Sequence, residues 1–116
     1  MEKDNNNISS QMRKGMLEYC VLLTLRQNGA CYPNDLISRL GEVRMIVVEG
    51  TIYTLLNRLR KEGKLEYEWQ ESPKGPPRKY YHLTPTGEKA LEEMTLVWDE
   101  LAFAVNSLRP KELPEN

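Results

Sequence analysis

Apolar residues recur along this chain at two periods, and the switches between them divide it into a helical front, a hairpin and a final helix. Met12, Met16, Cys20 and Leu23, with a second set at Leu17, Val21 and Leu25, follow the three-and-four spacing of a helix buried on two sides, and Asn28-Gly29 supplies its stop. Pro33 suits the first turn of a short second helix, with Asp35 near its positive end, apolar Leu36, Ile37 and Leu40, and Gly41 to end it. Val43 to Val48 reads as a loop or short extended piece. In the third helix Ile52, Leu55, Leu56 and Leu59 form one stripe, and Gly63 follows as the stop. Leu65, Tyr67 and Trp69 then alternate with Glu66, Glu68 and Gln70, the period of a half-buried strand. Ser72-Pro73-Lys74-Gly75-Pro76-Pro77 must turn, and Arg78 to Leu83, rich in β formers, returns antiparallel. Thr84-Pro85 caps a fourth helix that Pro110 closes; Glu88 to Leu108 alone would be about 30 Å long, more than the small body before it needs for a core.

Three helices followed by a two-stranded hairpin is the element order of a winged helix-turn-helix. The expected fold class is therefore mainly α with a small β-hairpin, a winged helix-turn-helix plus a long C-terminal dimerisation helix. The expected divisions are a flexible tail over 1–10, the winged domain over 11–86, the dimerisation helix over 87–109 and a second flexible tail over 110–116. The 116 residues leave room for one domain. A polar, Asn-rich start without an apolar signal core, and no apolar run of about 18 residues, give the expectation of a soluble cytoplasmic protein that does not enter a membrane. Cys20 and Cys31 lack metal-ligand spacing and His82 is the single histidine, so no metal and no cofactor are expected and the cysteines read as small reduced hydrophobes. The net charge of −1 hides an asymmetry: 13 Lys and Arg face 10 Asp and Glu through Gly87, against 3 and 7 afterwards. That distribution permits nucleic-acid binding by the front without demonstrating it.

Opposite the apolar stripe of the third helix lie Thr54, Asn57 and Lys61, flanked by Thr51, Tyr53 and Arg58. These donors and acceptors have the length to reach base edges and phosphates, although alone they read more readily as a solvated face. Lys74, Arg78 and Lys79 around the Gly/Pro turn shift the weighting, because long cations there can straddle a phosphate backbone beside that helix. In the last helix Leu91, Met94, Trp98, Leu101, Val105 and Leu108 form a seam that wants a partner helix, which favours a homodimer. Trp98 lies mid-seam. Interface core is its first reading; a small planar aromatic effector, with Met12, Met16 and Tyr19 as adaptable walls, is its second. No phosphate loop, metal spacing or nucleophile–base pair supports an enzyme.

Several segments in order carry a family resemblance: Gly15-Met16-Leu17, Gly50-Thr51-Ile52-Tyr53 through Leu56-Asn57-Arg58-Leu59, Gly63, Trp69, Pro77-Arg78-Lys79-Tyr80-Tyr81 and Leu83-Thr84-Pro85-Thr86-Gly87. The chain resembles the PadR-like transcriptional regulators, particularly the short members with one C-terminal helix. The resemblance implies a repressor that binds double-stranded DNA at a palindromic operator as a homodimer, the third helix in the major groove and the wings alongside. It also implies ligand response, since members sense phenolic acids or multiple drugs near the first and last helices. Two departures stand out. Tyr32-Pro33-Asn34-Asp35 replaces the family's frequent Tyr-Gly-Tyr-Glu, and Gly75-Pro76-Pro77-Arg78 replaces Gly-Arg-Pro-Arg, which removes one phosphate contact. The alternative function is a winged-helix protein–protein interaction module that does not bind DNA.

Overall fold

In the computed structural model, which describes residues 2–111, the chain runs α1 (Glu2–Arg13), α2 (Leu17–Asn28), β1 (Ala30–Cys31), α3 (Pro33–Glu42), α4 (Glu49–Lys61), β2 (Leu65–Ser72), β3 (Gly75–Leu83) and α5 (Pro85–Leu108). It is a mainly helical winged fold with a small antiparallel sheet, ordered β1-β3-β2, and a long last helix. The four apolar positions of α4, Ile52, Leu55, Leu56 and Leu59, are all buried, against Val21, Leu22 and Leu25 of α2, Leu36 and Leu40 of α3, and Leu65 and Tyr81 of the sheet. Each fully buried leucine or isoleucine contributes roughly 1.5–3 kcal/mol. This core fixes the rotation of α4, and so decides that Thr51, Tyr53, Thr54, Asn57, Arg58 and Lys61 face solvent.

Five local features depart from the sequence expectations. Within the stretch expected as a flexible tail, Glu2 to Ser10 belong to helix α1, and the single first helix is broken at Lys14–Met16, where the Met16 N–H turns back to the Arg13 carbonyl at 2.8 Å. Gly15, a poor helix former, sits in that break. A third strand, β1, pairs Ala30 with His82 and Cys31 with Tyr81. Gly41 does not end the second helix: α3 continues to Glu42, and Arg44 takes the left-handed conformation with φ 67°. The wing turn is tighter than the Pro-rich stretch suggests, because Ser72 pairs with Gly75 and only Pro73-Lys74 lie between the strands. Pro76 and Pro77 are tolerated in β3 because β1 reaches only Tyr81 and His82, which leaves one edge of β3 unpaired at the prolines. The expected tail over 110–116 lies outside the described residues from 112 onward.

The joint between the winged body and α5 is tight. The Thr84 hydroxyl accepts from the Gly87 N–H (3.0 Å) and donates to the Gly63 carbonyl (2.6 Å), while the Thr84 N–H donates to the Lys64 carbonyl (3.1 Å). Gly63, at φ 80°, ends α4 and makes that turn. Beyond the joint, Leu91 is 6% exposed and Met94 packs against the same core, while the Tyr19 hydroxyl of α2 donates to Thr95 Oγ1 at 2.8 Å. The seam is thereby corrected at its N-terminal end: Leu91 and Met94 serve their own chain, because a heptad period cannot tell an internal neighbour from a second copy. From Leu96 onward the large apolar residues are exposed, with Leu101 at 53% and Leu108 at 86%.

The cysteines remain thiols. Cys31 is buried, and burial, reinforced by the Asp35 carboxylate, pushes its pKa up to about 11; burial also raises that of Cys20. Among the described residues no helix is long and apolar enough to cross a membrane.

Candidate nucleic-acid interface

The outward side of α4 is bordered on one flank by the hairpin of β2 and β3. Tyr53 of α4, Tyr32 ahead of α3, and Trp69, Arg78 and Lys79 of the hairpin line one cleft of about 300 Å³. Arg78 and Lys79 are successive strand residues and therefore point to opposite faces. Each rests on aromatic rings. The Arg78 guanidinium lies 4.4 Å from the Tyr32 ring centroid, and Lys79 Nζ lies 4.6 Å from that of Tyr67 and 5.3 Å from that of Trp69. Such contacts are worth about 0.5–1 kcal/mol at exposed sites, enough to orient a long side chain yet not to withhold it from a phosphate. Lys74 is exposed on the turn itself.

On the other flank, a cleft of about 550 Å³ is lined by Lys14 from the α1–α2 break together with Thr51, Thr54 and Arg58 of α4 and Glu18 of α2. The sequence reading missed Lys14 because it ran one helix through that point; Gly15 was the available signal. It also missed Arg60, whose Nη2 donates to Asn57 Oδ1 at 3.0 Å. Asn57 thus keeps its amide N–H donors without a hydrogen bond among the described residues.

Arg58 is the member of the predicted set that the structure places differently. Its Nη2 donates to Glu18 Oε1 at 2.5 Å and its Nη1 to Glu62 Oε2 at 2.8 Å, and these two hydrogen bonds raise its pKa further. The same carboxylates hold Lys64, at 3.2 Å from Glu18 Oε2 and 3.1 Å from Glu62 Oε1. A side chain expected to be offered to DNA is therefore neutralised within the protein. Spacing along α4 gives its direction and the Glu62 carboxylate four residues on, but not the Glu18 carboxylate brought to it by α2.

A third concavity, of about 390 Å³, lies where α5 meets the α1–α2 break, with Met16, Tyr19, Lys64, Met94, Trp98 and Leu101 among its walls. Three of the four residues expected to face an effector, Met16, Tyr19 and Trp98, meet there. Met12 does not: it stands on α1, 75% exposed, beyond the break that separates its helix from Tyr19.

Comparison with known proteins adds an independent finding. The model of the transcriptional regulator PadR-like family matches residues 21–93. A PadR-like transcription factor of Bacteroides fragilis is 53% identical, covering 89% of this chain and 99% of that one, with a TM-score of 0.73. A PadR-like transcriptional regulator of Bacillus cereus is 40% identical, covering 89% of this chain and all (100%) of the other, with a TM-score of 0.80. Among curated proteins, an uncharacterized protein of Lysinibacillus sphaericus is 33% identical over 55 residues, which span 47% of this chain and 50% of that relative's length.

Proposed function

The chain belongs to the PadR-like family of transcriptional regulators, and from that premise we propose that it is a cytoplasmic, sequence-specific DNA-binding repressor that works as a homodimer. One observation carries the reading: the polar side of α4 is exposed between two flanks that bear cations, Lys14 on one and Arg78 and Lys79 on the other. An exposed helix 13 residues long fits a major groove, and the flanking cations then meet the two phosphate ridges. In this reading residues 11–86 are the DNA-binding unit and 87–109 the dimerisation helix, with Trp98, Leu101, Val105 and Leu108 facing the partner.

Within α4, Thr51, Tyr53, Thr54 and Asn57 read bases, and Lys61, with Lys74, Arg78 and Lys79 of the wing, contacts phosphates. Asn57→Ala should change base preference by roughly 1–3 kcal/mol at one position, as expected for a lost bidentate contact. Lys74→Gln should weaken every sequence alike and flatten the salt dependence by about one unit. Binding of duplexes selected from random DNA, measured across salt concentrations, checks both. Salt-insensitive binding, or none, would instead favour a protein-binding module.

The concavity beside Trp98 fits a small planar aromatic effector, being within the few-hundred-Å³ range of ligand sites and walled by an indole, two methionines and a tyrosine. Occupancy regulates only if the ligand prefers a dimer whose α4 helices are spaced wrongly for DNA. Planar dyes should quench Trp98 and weaken operator binding in the wild type and do neither in Trp98→Ala; quenching that survives the substitution would locate the dye at Trp69 or elsewhere.

A further inference from the structure

Glu18, Arg58, Glu62 and Lys64 form a closed ring of alternating charge in which each carboxylate binds both cations, at 2.5 to 3.2 Å. The ring joins three places: the first turn of α2, the last turn of α4, and the residue that leads into β2. Its members differ in freedom. The side chains of Glu18 and Lys64 are 19% and 24% exposed, whereas that of Arg58 is 48% exposed and borders the same cleft as Lys14, Thr51 and Thr54. Lys64 is also fixed through its backbone, its N–H donating to the Leu59 carbonyl at 2.9 Å and its carbonyl accepting from Thr84. Arg58 is thus the more exposed cation of the ring, and the one on the DNA side.

We propose that Glu18 is a negative determinant of DNA affinity: it holds the Arg58 guanidinium in an internal ion pair, so that a phosphate must compete with a carboxylate for it. The inference rests on the DNA-binding reading above. Ion pairs to a guanidinium this exposed add little to stability, so a ring that ties up a cation on the recognition helix has its main consequence at the surface that helix presents. That consequence follows from the source of non-specific affinity. Nearly all of it comes from neutralised phosphates, and it is sequence-independent. Removing one phosphate contact from α4 lowers binding to every duplex and leaves the base-reading residues untouched, so that base contacts supply a larger share of whatever affinity remains. Glu18 can do this from α2 because α2 and α4 are set in one hydrophobic core, Val21 and Leu22 from the first and Ile52, Leu55 and Leu56 from the second. Glu62, on the C-terminal side of Arg58, adds a second acceptor one turn along the helix.

The test is binding of a random-sequence duplex by the full chain between 50 and 200 mM salt, for wild type, Glu18→Gln, Arg58→Gln and the double variant. Each phosphate contact adds about 0.9 to the slope of log affinity against log salt. Glu18→Gln should steepen the slope by about that amount, so that its advantage over wild type grows about 3.5-fold from 200 to 50 mM salt. Arg58→Gln alone should leave the slope unchanged, and the double variant should return to the wild-type slope. Glu62→Gln, on a more exposed carboxylate, should change the slope in the same direction by less, and it carries the test if Glu18→Gln fails to fold by circular dichroism. The proposal is overturned by a slope that neither carboxylate variant alters, by flattening in Arg58→Gln alone, or by a gain that persists in the double variant and so reflects only the removal of negative charge. Absence of duplex binding by the wild type at all salt concentrations would overturn the DNA-binding reading itself, a different and recognisable result.

Discussion

Leu101→Lys is expected to turn the proposed dimer into a folded monomer, with a dissociation constant at least about a thousandfold higher. Leu101 is 53% exposed in the single chain and follows the part of α5 that packs on its own body, so the substitution removes little from the core. Around it Leu96, Val97, Trp98, Phe103, Val105 and Leu108 are exposed as well, an apolar surface of a kind that soluble monomers seldom leave in water. In a two-fold dimer each substitution occurs twice. Desolvating an unpaired ammonium costs several kcal/mol, so a total of at least about 4 kcal/mol is a conservative figure. Sedimentation velocity at micromolar concentration measures the mass, and the far-ultraviolet spectrum reports whether the fold survives. A Leu101→Lys chain that still sediments as a dimer would place the interface elsewhere.

The second large effect is on stability. Gly87→Ala should cost at least about 3 kcal/mol, the upper end of what overpacking does, and lower the melting temperature by about 10–15 °C. A Cβ at Gly87 would lie 2.1 Å from the Lys64 carbonyl oxygen and 3.1 Å from its carbonyl carbon. Neither atom is the end of a flexible side chain. The oxygen already accepts from the Thr84 N–H, so relief requires prying α5 from the turn that follows α4. Gly41→Ala is the control, with nothing within 4 Å of its Cβ and a place inside α3; it should be neutral or stabilising by up to about 1 kcal/mol. Equal melting temperatures for the two variants would show that the joint yields more easily than its geometry implies.

The parts of this molecule that were legible in the sequence are those in which one periodic pattern has one explanation. The stripe of α4 could only be buried, and the alternation from Leu65 to Trp69 could only be a strand. Thr84-Pro85 and Gly63 carry terminus signals that depend on local backbone chemistry alone, and the structure uses them as caps and stops. The failures occurred where a pattern had two explanations or none. Met12 and Met16 continue the period of α2 across Lys14–Met16, so the apolar pattern masks a break that Gly15 alone signals, and with it the exclusion of Met12 from the concavity beside Trp98. Leu91 and Met94 continue the period of the exposed part of α5 while packing on their own body. Strand β1, two residues long, is too short to have a period. Among the candidate DNA contacts, the exposed face of α4 follows directly from its stripe, but the pairing of Arg58 does not. Glu18 lies 40 residues earlier in the chain and reaches Arg58 only because the core sets α2 beside α4.

The central claim, that two copies joined through α5 present two α4 helices to one duplex, is tested most directly by mass and footprint together. Duplexes selected from random DNA should bind one dimer each and show two protected half-sites, related by two-fold symmetry and centred one helical turn, about 34–36 Å, apart. A single chain bound per duplex, protecting one unpaired half-site, would contradict it.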